Sequence, residues 1–301
     1  MRSMLAAALL AALMYAPGAR ADELPTGQAQ QLQFLRSLNY RSGDVKLADA
    51  GVTMHVRSGF RFLDHDDARK VLEQYWRNPP DDSVLGLLIP EDAGLDSEHA
   101  WAVVVTYVDE GHVSDEDATK VDYTQVMKDM KEASAEENAE RRKQNYPEVQ
   151  IVGWAQAPSY DGAGKRIYWA RELDFKGEPV HTLNYDIRVL GRDGYLSMNA
   201  IASMPDLALV RDGMQRVLPM AEFDSGHRYA DYQPGHDKLA AYGLAALVGG
   251  GIAAKAGLFA KLGIFLLAFK KVIVVGVVAV GAAVKKLFGG GKDKRDGGTI
   301  S

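Results

Sequence analysis

The pattern of apolar and polar positions changes character several times along this chain. Met4–Met14 is an unbroken apolar run of eleven residues behind Met1-Arg2, followed by the helix-breaking Pro17-Gly18 and the small residues Ala19 and Ala21. That order is the layout of a secretory signal, and it predicts cleavage after Ala21. The run is too short to cross a bilayer, which takes about 20 residues. An uncleaved interfacial helix is the alternative reading.

Residues 22–236 alternate as a globular α+β chain does, and the pattern predicts one domain built on antiparallel strands. Ala68, Val71, Leu72 and Tyr75 recur at helical spacing, so a helix is expected over Asp64–Arg77, ended by Asn78-Pro79-Pro80. Val84–Ile89 and Trp101–Val108 are β-branched and aromatic runs that read as strands. A long helix is expected from Ser114, with its hydroxyl as cap and Asp115, Glu116 and Asp117 at the positive end, running to about Gln144.

Four strand-like runs come next: Gln150–Ala157, Arg166–Leu173, His181–Leu190 and Tyr195–Ala202. Turn-forming residues join them, and the joins leave no room for crossover helices, so a half-buried antiparallel meander is predicted. In the third run Leu183, Tyr185, Ile187 and Val189 share one face. Asn184, Asp186 and Arg188 share the other, which is expected to meet solvent.

From Leu239 to Val284 the chain is nearly all Ala, Gly, Val, Leu, Ile and Phe, interrupted by Lys255, Lys261, Lys270 and Lys271. Residues 237–286 are therefore expected to be a Gly/Ala-rich helical membrane anchor, with small residues suited to self-association, and 287–301 a basic disordered tail. A soluble buried hairpin is the bland alternative. Leu239–Ala260, about 33 Å as a helix, is favoured as a single crossing, with Leu262–Val284 on the inner leaflet. Two crossings are the competing topology.

Charge sharpens this division. Residues 22–236 carry 23 positive against 37 negative side chains, a net of −14, whereas 237–301 carry a net of +7. A strongly acidic body excludes a nucleic-acid binder. The basic tail suits the cytoplasmic side or anionic headgroups. With no cysteine in the chain, disulfides, thiolate metal sites, a cysteine nucleophile and lipoprotein acylation are all excluded.

Candidate chemistry is sparse. Gly162-Ala163-Gly164-Lys165-Arg166 resembles half a phosphate loop, but Ser159 replaces the first glycine and Arg166 the magnesium-holding Ser or Thr. Gly249-x-Gly251-x-x-Ala254 lies in an apolar run, not between strand and helix. Neither G-x-S-x-G nor H-E-x-x-H occurs. The seven histidines lack metal-ligand spacing; His112 near Asp109 and Asp115 comes nearest, and no metal or cofactor is expected. His227 with Asp231 could be an acid–base pair, or simply polar residues at the join to the stem. Asn184 and Arg188, with Asp186 and Arg171, could hold an anionic ligand, or form a solvated row of cross-strand pairs. The candidate ligand-binding residues are accordingly Asn184, Arg188, His227 and Asp231, and none is assigned a catalytic role.

Several motifs together resemble a known family. They are Asn78-Pro79-Pro80 before Gly86, Asp115-x-Asp117-Ala118, Gly153-Trp154 with Pro158-x-Tyr160-Asp161, Tyr168-Trp169-Ala170, and Leu183-Asn184-Tyr185-x-Ile187-Arg188-Val189-Leu190-Gly191-Arg192-x-Gly194. Gly226-x-Arg228-Tyr229-x-Asp231 and Asp237-Lys238-x-Ala240-x-Tyr242-Gly243 complete the set. In order over roughly residues 40–290, they resemble the membrane-anchored proteins grouped as domain of unknown function 2167. One departure is Glu110-Gly111-His112-Val113, where that family is expected to place tyrosine. The resemblance implies bacterial origin, secretion and membrane anchoring, and it brings no catalytic residues; with the exported body and basic tail, the expected location is the bacterial inner membrane with the main domain in the periplasm. The expected function is a non-catalytic envelope module that binds a protein partner or small ligand. A hydrolase or transferase acting on envelope material is the alternative.

Overall fold

The computed structural model describes residues 26–249, apart from Arg77, Pro79 and residues 144–146; side chains are described from Gln30 onward. The expected signal peptide, the basic tail and the apolar run beyond Gly249 lie outside the described residues. The chain divides after Leu38 into two compact units. The first contains helix α1, Thr26–Arg36. The second holds everything discussed below.

It opens with strands β1 (Gly43–Leu47), β2 (Val52–Val56) and β3 (Phe60–Asp64). Asp64 ends β3 and caps the next element, its carboxylate accepting the Asp67 N–H at 3.3 Å. Helix α2 is thus only His65–Arg69, continued by a π-helical turn over Lys70–Tyr75. The expected helix is present, and its Ala68, Val71 and Leu72 are buried. Strands β4 (Val84–Pro90) and β5 (Ala102–Val108) are where the pattern placed them.

The long helix is shorter than expected. Ser114 closes strand β6 (His112–Ser114), and helix α3 begins only at Tyr123 and ends at Lys143. The intervening acids are used elsewhere: Asp115 bonds Tyr160, Lys165 and Tyr229, and Asp117 accepts from the Leu244 N–H. Asp122 supplies the cap instead, accepting from the N–H groups of Thr124 and Gln125 at 2.9 and 3.1 Å.

The meander is present as β7 (Val149–Asp161), β8 (Arg166–Phe175), β9 (Thr182–Leu190) and β10 (Tyr195–Ser203). Helix α4 (Leu207–Val217) and strand β11 (Ala221–Phe223) follow, then strand β12 (Leu239–Gly243) and helix α5 (Leu244–Gly249).

Seven strands form one antiparallel sheet in the order β3-β4-β5-β10-β9-β8-β7. One face packs on the β1-β2-β11 sheet and on α4, burying Met54, Phe62, Tyr185, Met198 and Met214. The other face carries Ile167, Trp169 and Leu190 against Val113, the α3 residues Val126 and Met130, and Leu244, Leu247 and Val248 of α5. The architecture is α+β with antiparallel sheets, as expected. Two-sided cover changes one expectation, however: β9 is buried along its whole length, and Asn184, Asp186 and Arg188 do not face solvent. Alternation of polarity could not reveal this, because the polar face is closed by elements remote in sequence.

The segment expected to enter the membrane at Leu239 begins inside this fold. β12 pairs in parallel with β6, an exception to the antiparallel rule, and α5 buries three apolar side chains in the second core. Among the described residues no helix is long and apolar enough to cross a membrane.

Candidate functional site

Two polar constructions stand out, on different parts of the domain. The first is the row on β9. Its register sets Trp169 and Asn199 on either side of Asp186, Arg171 beside Asn184, and Ser197 beside Arg188. Asp186 is wholly buried, Asn184 is 1% exposed and Arg188 is 7% exposed. Arg171 reaches the same carboxylate from β8 at 3.0 Å, and Arg188 meets its other oxygen at 2.9 Å. Asn199 donates to Asp186 at 2.7 Å, Arg171 donates to the Asn184 side chain, and Arg188 donates to the Ser197 hydroxyl at 2.6 Å. The Arg188 guanidinium lies 5.3 Å from the centre of the Trp169 ring. Burial pulls the Arg171 pKa down, against the raising influence of Asp186.

The second construction gathers motif residues around the segment 226–249. Asp115, just after β6, is its hub. Its Oδ2 accepts from the Tyr160 hydroxyl at 2.5 Å and from Lys165 Nζ at 2.6 Å, and its Oδ1 lies 2.9 Å from the Tyr229 hydroxyl. Burial opposes ionisation of Asp115, but the bonds from Lys165, Tyr160 and Tyr229 outweigh it and bring the pKa from 3.8 down to about 2. Burial and then the bond to Asp115 push both tyrosine hydroxyls well above their ordinary range. Lys165 comes from the turn that imitates a phosphate loop. Its backbone is left-handed (φ 50°), and its ammonium sits 4.6 Å from the centre of the Tyr229 ring. The loop's lysine is thus committed to an internal carboxylate.

His112 is buried, stacked on Tyr232 at 3.9 Å and tilted against Tyr229 at 4.2 Å. Burial lowers its pKa despite the nearby backbone groups of Arg192 and Gly191. Beside it, Arg192 grips Asp237 with two bonds of 2.7 and 2.8 Å, and the pair holds the Asp237 pKa down to about 2. The His112 N–H donates to the Lys238 carbonyl at 2.8 Å. Gly111 makes the approach possible: its φ is +101°, and a Cβ there would stand 2.7 Å from that carbonyl. Tyr242 donates to Glu110 at 2.5 Å, and the Leu244 N–H donates to Asp117 at 3.2 Å.

The four expected ligand-binding residues therefore fall in two places. Asn184 and Arg188 belong to the buried row. Asp231 accepts the N–H groups of Gly226 and Arg228 at 2.9 and 3.0 Å, which shapes the turn before Tyr229, and His227 is exposed and packs over Gly51. Sequence reasoning passed over Asp115, Lys165 and Arg192 as a group. Asp115 and Lys165 were each singled out there for other roles, a helix start or metal neighbour and half a phosphate loop, and nothing local pointed to their meeting. Among the described residues no three His, Asp or Glu side chains stand together as a metal would need.

The model of the family described as protein of unknown function (DUF2167) matches residues 39–281. No curated protein matches the chain. Among solved structures it is similar to cyanobacterial PsbP from Synechocystis sp. PCC 6803, at 10% identity and a TM-score of 0.33, over 62% of this chain and 92% of that one. It is also similar to the Saccharomyces cerevisiae Ran-binding protein Mog1p, at 11% identity and a TM-score of 0.34, over 63% and 98%. A third likeness is to LpqN, involved in cell envelope biogenesis in Mycobacterium tuberculosis, at 12% identity and a TM-score of 0.30, over 63% and 94%.

Proposed function

The chain belongs to the family described as protein of unknown function DUF2167, and from that premise we propose that it is a non-catalytic interaction module of the bacterial envelope. Its closing segment mounts it on the apolar run that follows Gly249. One observation carries this reading. The motif residues are spent on fastening residues 226–249 to the domain, through Asp115, Arg192 and Asp237, and not on presenting a free nucleophile or base. A segment fastened by the Arg192–Asp237 pair, the Tyr229–Asp115 bond and a helix packed into the core transmits orientation from anchor to domain, as a flexible linker would not.

The proposed membrane crossing shifts with this reading. With Leu239–Gly249 folded into the domain, residues 250–260 alone would make only about 16 Å of helix, short of the roughly 30 Å hydrocarbon core. The crossing then falls on Leu262–Val284, 23 residues and about 34 Å, and Lys270-Lys271 must be accommodated near its middle. The domain faces the periplasm and the tail the cytoplasm.

Fractionation tests the mount. The full chain is expected in the membrane pellet after carbonate washing, and a chain stopped after Gly249 in the periplasmic fraction, still folded. Release of the full chain by carbonate, or unfolding of the shortened one, would refute the proposal. Photocrosslinking in cells from exposed Val152 and His227 is expected to trap a discrete protein partner.

A further inference from the structure

The buried row on β8, β9 and β10 has an imbalance that its own residues do not resolve. Two guanidinium groups, Arg171 and Arg188, share a single carboxylate, Asp186, so the cluster carries one net positive charge. Every acceptor in it is engaged: both Asp186 oxygens, the Asn184 and Asn199 carbonyls and the Ser197 hydroxyl. Three buried donors have no partner, Arg171 Nε, Arg188 Nε and the indole Nε1 of Trp169.

The three residues that carry these donors are neighbours around Asp186. Trp169 stands directly across from Asp186, the Arg188 guanidinium lies over its ring, and Arg171 reaches Asp186 from two residues further along β8. A shortage of acceptors only, combined with excess positive charge in a buried setting, favours an anionic partner over neutral water. Buried guanidinium N–H groups find their strongest partners in carboxylate or phosphate oxygens.

We propose that this cluster is a binding site for one small oxyanion, a carboxylate or a phosphate group, held by the Nε atoms of Arg171 and Arg188 and the indole N–H of Trp169. Asp186 keeps the two arginines apart and aimed, and Asn184, Asn199 and Ser197 fix the remaining N–H groups so that the free ones face the ligand. The site goes beyond the mounting role, which stands whether or not the anion binds.

The test is calorimetric titration of the full chain with acetate and separately with inorganic phosphate, at constant ionic strength set by chloride. Saturable binding of one equivalent is expected, and the arm that saturates at lower concentration identifies carboxylate or phosphate as the ligand class. Arg171→Gln removes a charge and a donor and is expected to weaken binding about tenfold or more. Trp169→Phe keeps a six-membered aromatic ring but loses the five-membered ring that carries the N–H, leaving a small cavity in the core, and is expected to weaken binding several-fold. Should Arg171→Gln fail to fold, Trp169→Phe decides alone. Absence of saturable binding by either anion, or affinity unchanged in Trp169→Phe, overturns the proposal.

Discussion

Replacing Asp115 by Asn keeps the shape of the hub and removes its charge. The depression of the Asp115 pKa from 3.8 to about 2 corresponds to about 2.4 kcal/mol at 1.36 kcal/mol per pH unit. The carboxylate is 22% exposed and its partner Lys165 is 34% exposed, so solvent screening reduces the charge contribution to roughly 1 kcal/mol. Weakening the bonds from Tyr160 and Tyr229, which lose an ionised acceptor, adds about 1 kcal/mol more. The variant should therefore lose about 2 kcal/mol at pH 7, or roughly 4–8 °C in melting temperature for a domain of this size. The pH dependence has a definite sign. A carboxylate whose folded pKa lies below its unfolded value stabilises the fold above about pH 3.8, and loses that contribution as pH falls toward 2. The gap between wild type and Asp115→Asn should be full at pH 7 and narrow steadily between pH 4 and 2.5. Urea unfolding of both proteins across that series, followed by tryptophan fluorescence, measures it. A gap below 0.5 kcal/mol at pH 7, or one that stays constant down to pH 2.5, would show that Asp115 is not the fastening charge.

Other perturbations read the remaining structure. Asp186→Ala leaves Arg171 and Arg188 buried without a counter-charge and should destabilise by about 3–5 kcal/mol; a loss under 1 kcal/mol in denaturant unfolding would contradict the burial of this row. Gly213→Ala sets a Cβ about 2.4 Å from the Trp101 ring, so overpacking of about 1–3 kcal/mol is expected, with a changed near-ultraviolet dichroism signal. An unchanged melting temperature would mean that α4 does not press on Trp101. His112 is held neutral by burial, so its folded pKa lies below 6.5 and the unfolded chain binds the proton more readily. Stability should decline as pH falls below about 6.5, and His112→Phe should flatten that slope; the same slope in both proteins places its origin elsewhere. Asp237→Asn breaks the two-bond grip of Arg192 and should speed proteolytic cleavage within residues 224–238, read by mass spectrometry of timed digests.

Much of the fold was legible in order along the chain. Strand periodicity and turn residues marked β4, β5 and the four meander strands to within a few residues, because those signals are local. The family, too, was readable from short motifs. What the sequence could not state was which residues meet across distance. Asp115, Glu116 and Asp117 have the composition of a helix start, yet α3 begins at Tyr123, because Asp115 and Asp117 bind groups 45 to 127 positions away. Leu239–Gly249 has the composition of a membrane helix, yet it folds as β12 and α5, because strand β6 pairs with it, the Asp117 carboxylate accepts the Leu244 N–H, and Val113 and Val126 offer an apolar surface. Asn184, Asp186 and Arg188 have the alternation of a solvated face, yet α3 and α5 close that side of the sheet, and burial turns the row into a charged interior cluster. In each case the local sequence determined polarity and periodicity. Tertiary contact alone decided whether a polar group met water, a helix terminus or another charge, since that depends on the partner brought near it and not on its neighbours in the chain.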